Sequence, residues 1–166
     1  MIFIQKISEI IDLVNEKIGI LTSYLAIPLI FTTFIVAFMR YALDFGSIAI
    51  QEIIIYFHAL IFAVGASYTL KNNMHVRIDI FYNKFSNNLK KNINLFGAFF
   101  FLLPTCILII ITSFNYVISS FELLESSKEA GGLPILYILK SYILLMAVLL
   151  LLQSFSEIIK NFNRGT

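Results

Sequence analysis

The stretch IGILTSYLAIPLIFTTFIVAFM, residues 18–39 between Lys17 and Arg40, carries no formal charge. About 20 mostly apolar residues are enough to cross the hydrocarbon core of a bilayer as a helix. Three further uncharged runs follow, at 53–70 between Glu52 and Lys71, 92–121 between Lys91 and Glu122, and 141–156 between Lys140 and Glu157. Composition agrees with a membrane solvent. Of 166 residues, 59% are of the AVILMFWYC set and 13% are charged, and mean hydropathy is +0.88. A soluble domain carries about 45–50% apolar and about 25% charged residues, and so small a soluble fold could not hide this much apolar surface. The same figures exclude intrinsic disorder. One cysteine excludes a disulfide framework and a multi-thiolate metal site. A net charge of +2 without a basic, aromatic-interleaved patch excludes nucleic acid as a partner.

The runs do not alternate: 144–152 and 107–111 are apolar on every side, so the spans are helices and not barrel strands. The first two runs fit a span directly. The third is too long to stand upright, so it tilts, kinks or emerges, and Pro104 offers a kink. The fourth is short and must recruit 133–139, or Ile158 and Ile159. Lys140 then lies inside that helix near its end, where it can snorkel. The expected fold is an all-α integral membrane protein, one domain over 1–166, with four transmembrane helices at about 18–40, 50–71, 88–121 and 134–159.

Two short amphipathic elements are expected besides the spans. In residues 1–17, Phe3, Ile7, Ile10, Ile11, Val14 and Ile18 share a helical face, with Lys6, Glu9, Asp12 and Glu16 elsewhere. That suits an interfacial helix on the membrane surface, or equally an extension of the first span. The acidic residues argue against a cleaved signal peptide. Between the second and third spans, Ile78, Phe81, Tyr82 and Phe85 have helical spacing and suggest a short interfacial helix. Ser86 is placed to cap the third span. Gly131-Gly132 is a break before the fourth, and Pro134 suits its first turn.

Orientation follows from the short connections. Nine of the twelve Lys and Arg lie in the N-terminal segment, the connection after the second span and the C-terminus; only Arg40, Lys128 and Lys140 lie on the other side, which also carries Asp44, Glu52, Glu122, Glu125 and Glu129. The positive-inside rule puts both termini in the cytoplasm.

Candidate chemistry is sparse. His58 lies in the second span and His75 in the loop beyond it, so two axial haem ligands facing each other from different helices are not on offer. His75 and Asp79 are four apart, but two ligands do not make a zinc site. Cys106 is alone in an apolar run and reads as a packing residue. No carboxylate lies mid-span, where an ion-coupled carrier would need one. No nucleophile–base pair or phosphate-cradling loop appears, so no catalytic, cofactor or metal residues are assigned. Lys140 is expected to pair with Glu52, Glu122 or Glu125, or to snorkel alone.

The stretch QEIIIYFHALIF (51–62), continuing to GASYTLK (65–71), with HVRIDIFY (75–82), ESSKEAGGLP (125–134) and Leu152-Gln153, resembles the small membrane subunit of tripartite ATP-independent periplasmic (TRAP) transporters, the DctQ-like family. The resemblance covers about residues 20–160; many relatives have prolines where Asn87 and Asn88 stand, and tryptophans where this chain has none. It implies an inner-membrane subunit that scaffolds a large membrane subunit during ion-gradient-driven import of an organic acid or related solute. A periplasmic substrate-binding protein would deliver the solute. The motif and interface candidates on this reading are Glu52, His58, His75, Arg77, Asp79, Glu125, Gly131, Gly132, Pro134 and Lys140. Phe99, Phe100 and Phe101 would meet membrane lipids or the large subunit. A small haem-anchoring or redox membrane protein is the alternative.

Overall fold

The chain is described here by a computed structural model covering residues 2–75, 82 and 84–163. The described residues include α1 Ile2–Ser23, α2 Ala26–Ala42, α3 Ile48–Lys71, α4 Asn87–Gly97, α5 Leu103–Glu122 and α6 Leu136–Asn163, with a π-helical turn, Ala98–Leu102, joining α4 to α5. No strand occurs among the described residues. Among the described residues four stretches are long and apolar enough to cross a membrane: Ile4–Ala42, Ile48–Lys71, Asn87–Glu122 and Leu136–Phe162.

Two prolines shape these stretches. Pro28 has no N–H, and its ring would collide with the carbonyl four residues back, that of Tyr24. The first stretch breaks there: at Tyr24–Leu25 the N–H of Leu25 donates to the Thr22 carbonyl at 3.0 Å and that of Ile27 to the Tyr24 carbonyl at 3.1 Å. The sequence left residues 1–17 as either a separate surface helix or an extension of the first span. Helix α1 runs unbroken through residue 17, as an extension would, because nothing there interrupts the backbone ladder and Pro28 does. Pro104 acts differently. The turn before it widens, with the Leu103 N–H reaching the Ala98 carbonyl, so the ring is accommodated inside one long helix. Phe96, Phe99 and Phe100 cluster at this widened turn, with Phe96 and Phe100 ring centroids 4.7 Å apart.

Caps set the connections. Ser86 accepts from the Leu89 N–H at the start of α4. Helix α5 ends in a Schellman turn. The Leu124 N–H bonds the Phe121 carbonyl at 3.1 Å, the Glu125 N–H bonds the Ser120 carbonyl at 3.0 Å, and Leu124 takes the left-handed conformation, φ 45°. Helix α3 ends likewise, with Asn73 at φ 55°. Pro134 lies two residues before α6 and not in its first turn: Ile135 intervenes and takes the Ile138 N–H at 3.0 Å. The expected short helix around Ile78 and Phe81 falls largely outside the described residues.

Helix α6 is the hub, packing on α1, α3 and α5, while α2 leans on α3. The buried residues are few and half of them polar: Ser8, Asn15, Thr22, Ser67, Ser120, Gln153, Ser154 and Ser156 beside Tyr56, Ala63, Val64, Leu103, Cys106, Val117, Ala147 and Leu149 among the described residues. Small residues let membrane helices approach closely, since lipid removes the hydrophobic incentive to hide large ones. Large apolar residues point outward, among them Ile30, Phe31, Phe34 and Phe38 on α2 and Phe99 to Phe101 at the π-turn.

Candidate functional site

Polar side chains gather at the two ends of the bundle. At one end lie the start of α3, the α5–α6 connection and the start of α6. There Glu52 accepts from the Ser127 hydroxyl and from the Leu133 N–H, the latter at 2.6 Å. Gly132 sits against this clasp, so close that an added Cβ would lie 2.6 Å from Ser127 Cβ and 2.7 Å from Glu52 Oε1. Its neighbour Gly131 holds φ +80°, a conformation that favours glycine. The Schellman turn delivers Glu125 beside Ser120, whose hydroxyl donates to it at 2.7 Å.

Lys140 forms an ion pair with Glu125 and stands 4.1 Å from the Tyr116 ring centroid, so one lysine ties α6 both to the turn after α5 and to the exposed Tyr116 of α5. Of the three partners considered for Lys140, the geometry selects Glu125. Glu52 is engaged by the loop, and Glu122 is exposed. The hydrogen bonds from Lys140 and Ser120 hold the Glu125 carboxyl below its ordinary pKa. A depressed carboxylate stabilises the fold fully above the ordinary glutamate pKa and loses that contribution as pH falls through the depressed value. We therefore expect Lys140→Met and Glu125→Gln each to lower the thermal midpoint of the detergent-solubilised protein near neutral pH. The double variant should lose less than the sum. Acidification through that window should narrow the gap between wild type and Glu125→Gln; strictly additive losses and a gap constant with pH would remove the pair from the account.

At the opposite end, α1 is stitched to α6. Asn15 Nδ2 donates to Gln153 Oε1 at 2.6 Å, Gln153 Nε2 donates to Asp12 Oδ1 at 3.0 Å, and the Ser156 hydroxyl donates to the same oxygen at 2.7 Å. Ser8 and Ser156 hydroxyls meet at 2.7 Å. Lys160 closes the seam on Asp12 at 2.5 Å and Glu157 at 2.9 Å. Lys71, at the end of α3, pairs with Glu16. Asn15 and Gln153 are 1% and 0% exposed, so the seam is an interior feature. The sequence reading set Asp12 and Glu16 off the apolar face of this helix. In the structure the inward stripe is Ser8, Asp12, Asn15, Gly19 and Thr22, while Ile7, Ile10, Val14 and Leu21 stay exposed. The spacing of those small and polar residues, together with Gln153, Ser154 and Ser156 in an apolar run, is the signal that could have found it.

The remaining candidates do not converge. His58 is exposed on α3, about 20 Å along the helix axis from its end. His75 lies beyond that end, with Nε2 3.3 Å from the Thr69 hydroxyl. Arg77 and Asp79 lie outside the described residues. Among the described residues no three of His, Cys, Asp and Glu stand together to hold a metal ion. Glu52, Glu125, Gly131, Gly132, Pro134 and Lys140 do come together, at one end of the bundle.

A protein-family model described as "Tripartite ATP-independent periplasmic transporters, DctQ component" matches residues 29–164. Neither the curated proteins nor the solved structures contain a match.

Proposed function

We propose, since the chain belongs to the DctQ component family of tripartite ATP-independent periplasmic transporters, that this small permease subunit works as a fixed scaffold. It would hold the large membrane subunit while that partner moves an organic acid or related solute inward on an ion gradient. A periplasmic binding protein would supply the solute. The observation that carries this reading is the placement of charge. The described carboxylates lie at the two ends of the bundle, and the ones with partners are committed to stitching helices together. The middle depth of α3, α5 and α6 carries no carboxylate, lysine or arginine; its buried residues include Ala63 and Val64, and His58 of α3 is exposed there. A carrier that coupled ions by itself would need a charge there. A scaffold needs helices tied to one another and apolar outer faces; the ion pairs at the bundle ends and the exposed Phe31, Phe34 and Phe38 of α2 support that reading.

The reading places the protein in the bacterial inner membrane with both termini cytoplasmic. The cationic bias supports this, as does the meeting of α1 and the end of α6 at one end of the bundle. The test is co-expression of the tagged chain with its large membrane subunit. The two should co-purify in detergent, and uptake into proteoliposomes should require both together with the binding protein. Reporters active only in the cytoplasm should respond when fused at Thr166 and stay dark at Lys128. Solute uptake by liposomes holding this chain alone would overturn the scaffold reading, and a bright signal at Lys128 would reverse the orientation.

A further inference from the structure

One ionisable side chain of α3 faces outward with nothing to bond. His58 is exposed, and among the described residues no hydrogen bond or ion pair reaches its ring. It lies six residues from Glu52 and thirteen from Lys71, about 9 Å and 20 Å along the helix at 1.5 Å per residue. Those two residues bound the uncharged run of this span, so the imidazole sits within the hydrocarbon. A lysine at that depth can lift its charge toward the headgroups on a long flexible stem. An imidazole on a single methylene cannot cover about 9 Å. Ile55 and Phe62, three residues before and four after, are exposed beside it. Spacings of three and four put all three on one outward ridge of α3.

Ser67 and Thr69 of the same helix turn their hydroxyls back on α3 carbonyls, at 3.0 Å and 2.9 Å. His58 makes no such bond. A neutral imidazole offers one donor and one acceptor. Acyl chains offer neither, and a polar group left unbonded in hydrocarbon is costly. Whatever covers this ridge has to bring a hydrogen-bonding group into the bilayer at the level of His58, which lipid does not do. The aromatic face of α2, with Phe31, Phe34 and Phe38, makes no such demand, because lipid satisfies it as well as protein does. We propose that His58 is the contact through which α3 docks on a transmembrane helix of the large membrane subunit. Its ring bonds a hydroxyl, amide or carboxylate side chain of that helix, and Ile55 and Phe62 pack on either side of the bond. The proposal rests on the scaffold reading and adds to it a face, a depth and a chemistry. The chain is one component of a tripartite transporter, so the occupant is the other membrane subunit and not a second copy.

The test uses the full chain and the large subunit in detergent, with association read by titrating one labelled subunit with the other. Hydrogen bonds between helices inside membranes correspond to about threefold in an equilibrium constant on average and about eighteenfold at most. His58→Leu should therefore weaken association by about three- to eighteenfold. The thermal midpoint of the chain alone should not fall, because the ring bonds no group of its own chain. His58→Gln or His58→Asn, which set an amide nitrogen near one ring nitrogen or the other, should recover most of the loss. A benzophenone side chain in place of His58 should crosslink to the large subunit. Unchanged association of His58→Leu, equal losses for His58→Leu and both amide variants, a lowered midpoint for the chain alone, or crosslinking only to lipid or to a second copy would each overturn the proposal and leave the scaffold reading standing. Failure of the wild-type chain to bind the large subunit at all would overturn both.

Discussion

Gln153→Leu should lower the stability of the solubilised protein by about 2–3 kcal/mol, read as a fall in the midpoint of detergent unfolding. The volume of the side chain is nearly kept, so the loss is one of hydrogen bonding and not of packing. Wild-type Gln153 is fully buried, accepts from Asn15 and donates to Asp12. Leucine strands the Asn15 amide in the interior and removes one of the donors from the Asp12 carboxylate. A buried group left without its partner costs about 1–3 kcal/mol, and more where it is charged. Asn15→Leu alone strands only one side of Gln153 and should cost less. The double variant Asn15→Leu with Gln153→Leu should recover part of the Gln153→Leu loss, because the amide stranded by the single change is then gone. Loss of the seam also frees α1 from α6, so protease sensitivity should rise before Ser23 while α3 to α6 stay protected. A single-variant loss below about 0.6 kcal/mol, the mean for polar contacts inside membranes, would mean that Asn15 and Asp12 find new partners on opening.

The existence of four spans was legible in the sequence as four uncharged runs, but charge did not mark their ends: Lys17 lies inside α1, Glu52 inside α3 and Lys140 inside α6. The connections were partly legible, since Ser86, Gly131 and Gly132 act through local backbone chemistry that needs no tertiary context. The seam was not. In a soluble helix the apolar stripe faces inward, and that rule assigned Ile7, Ile10 and Val14 of α1 to the packed or membrane-bound face. In lipid the incentive is reversed: small and hydrogen-bonding residues face neighbouring helices, because lipid already accepts isoleucine. Ser8, Asn15 and Thr22 were visible in the sequence but were not weighed as an interface. The Pro28 break was missed for a different reason. A proline in the third position of a helix looks tolerable until the carbonyl it excludes, that of Tyr24, is counted as part of the preceding helix. The choice of Glu125 for Lys140 depended on a left-handed Leu124, a conformation leucine does not advertise.

Gly132→Val should cost about 1–3 kcal/mol, the range for forcing extra methyl groups into a filled space. The Cβ alone would lie 2.6 Å from Ser127 Cβ, an atom fixed to its own backbone, so rotation of a side chain cannot relieve the contact. That backbone is itself tied, through the Ser127 N–H, to the Leu133 carbonyl at 2.9 Å. Relief must therefore come from opening the connection, which pulls the Leu133 N–H off Glu52. The steric change and the loss of the carboxylate thus break the same clasp. Glu52→Gln should be harmful in the wild-type background and nearly silent on top of Gly132→Val. Gly131→Ala provides the comparison. Nothing lies within 4 Å of its Cβ position, so its cost is purely conformational, about 1–2 kcal/mol for placing a Cβ at positive φ, and it should stack independently with Glu52→Gln. The same variants also bear on function. The clasp fixes where α6 begins relative to α3, and with it the outer face that these two helices offer a partner. Gly132→Val should therefore weaken co-purification with the large subunit more than Gly131→Ala does. Equal stability and equal co-purification for the two glycine variants would show that the connection tolerates an open clasp, and that the register of α6 is set by the α1 seam alone.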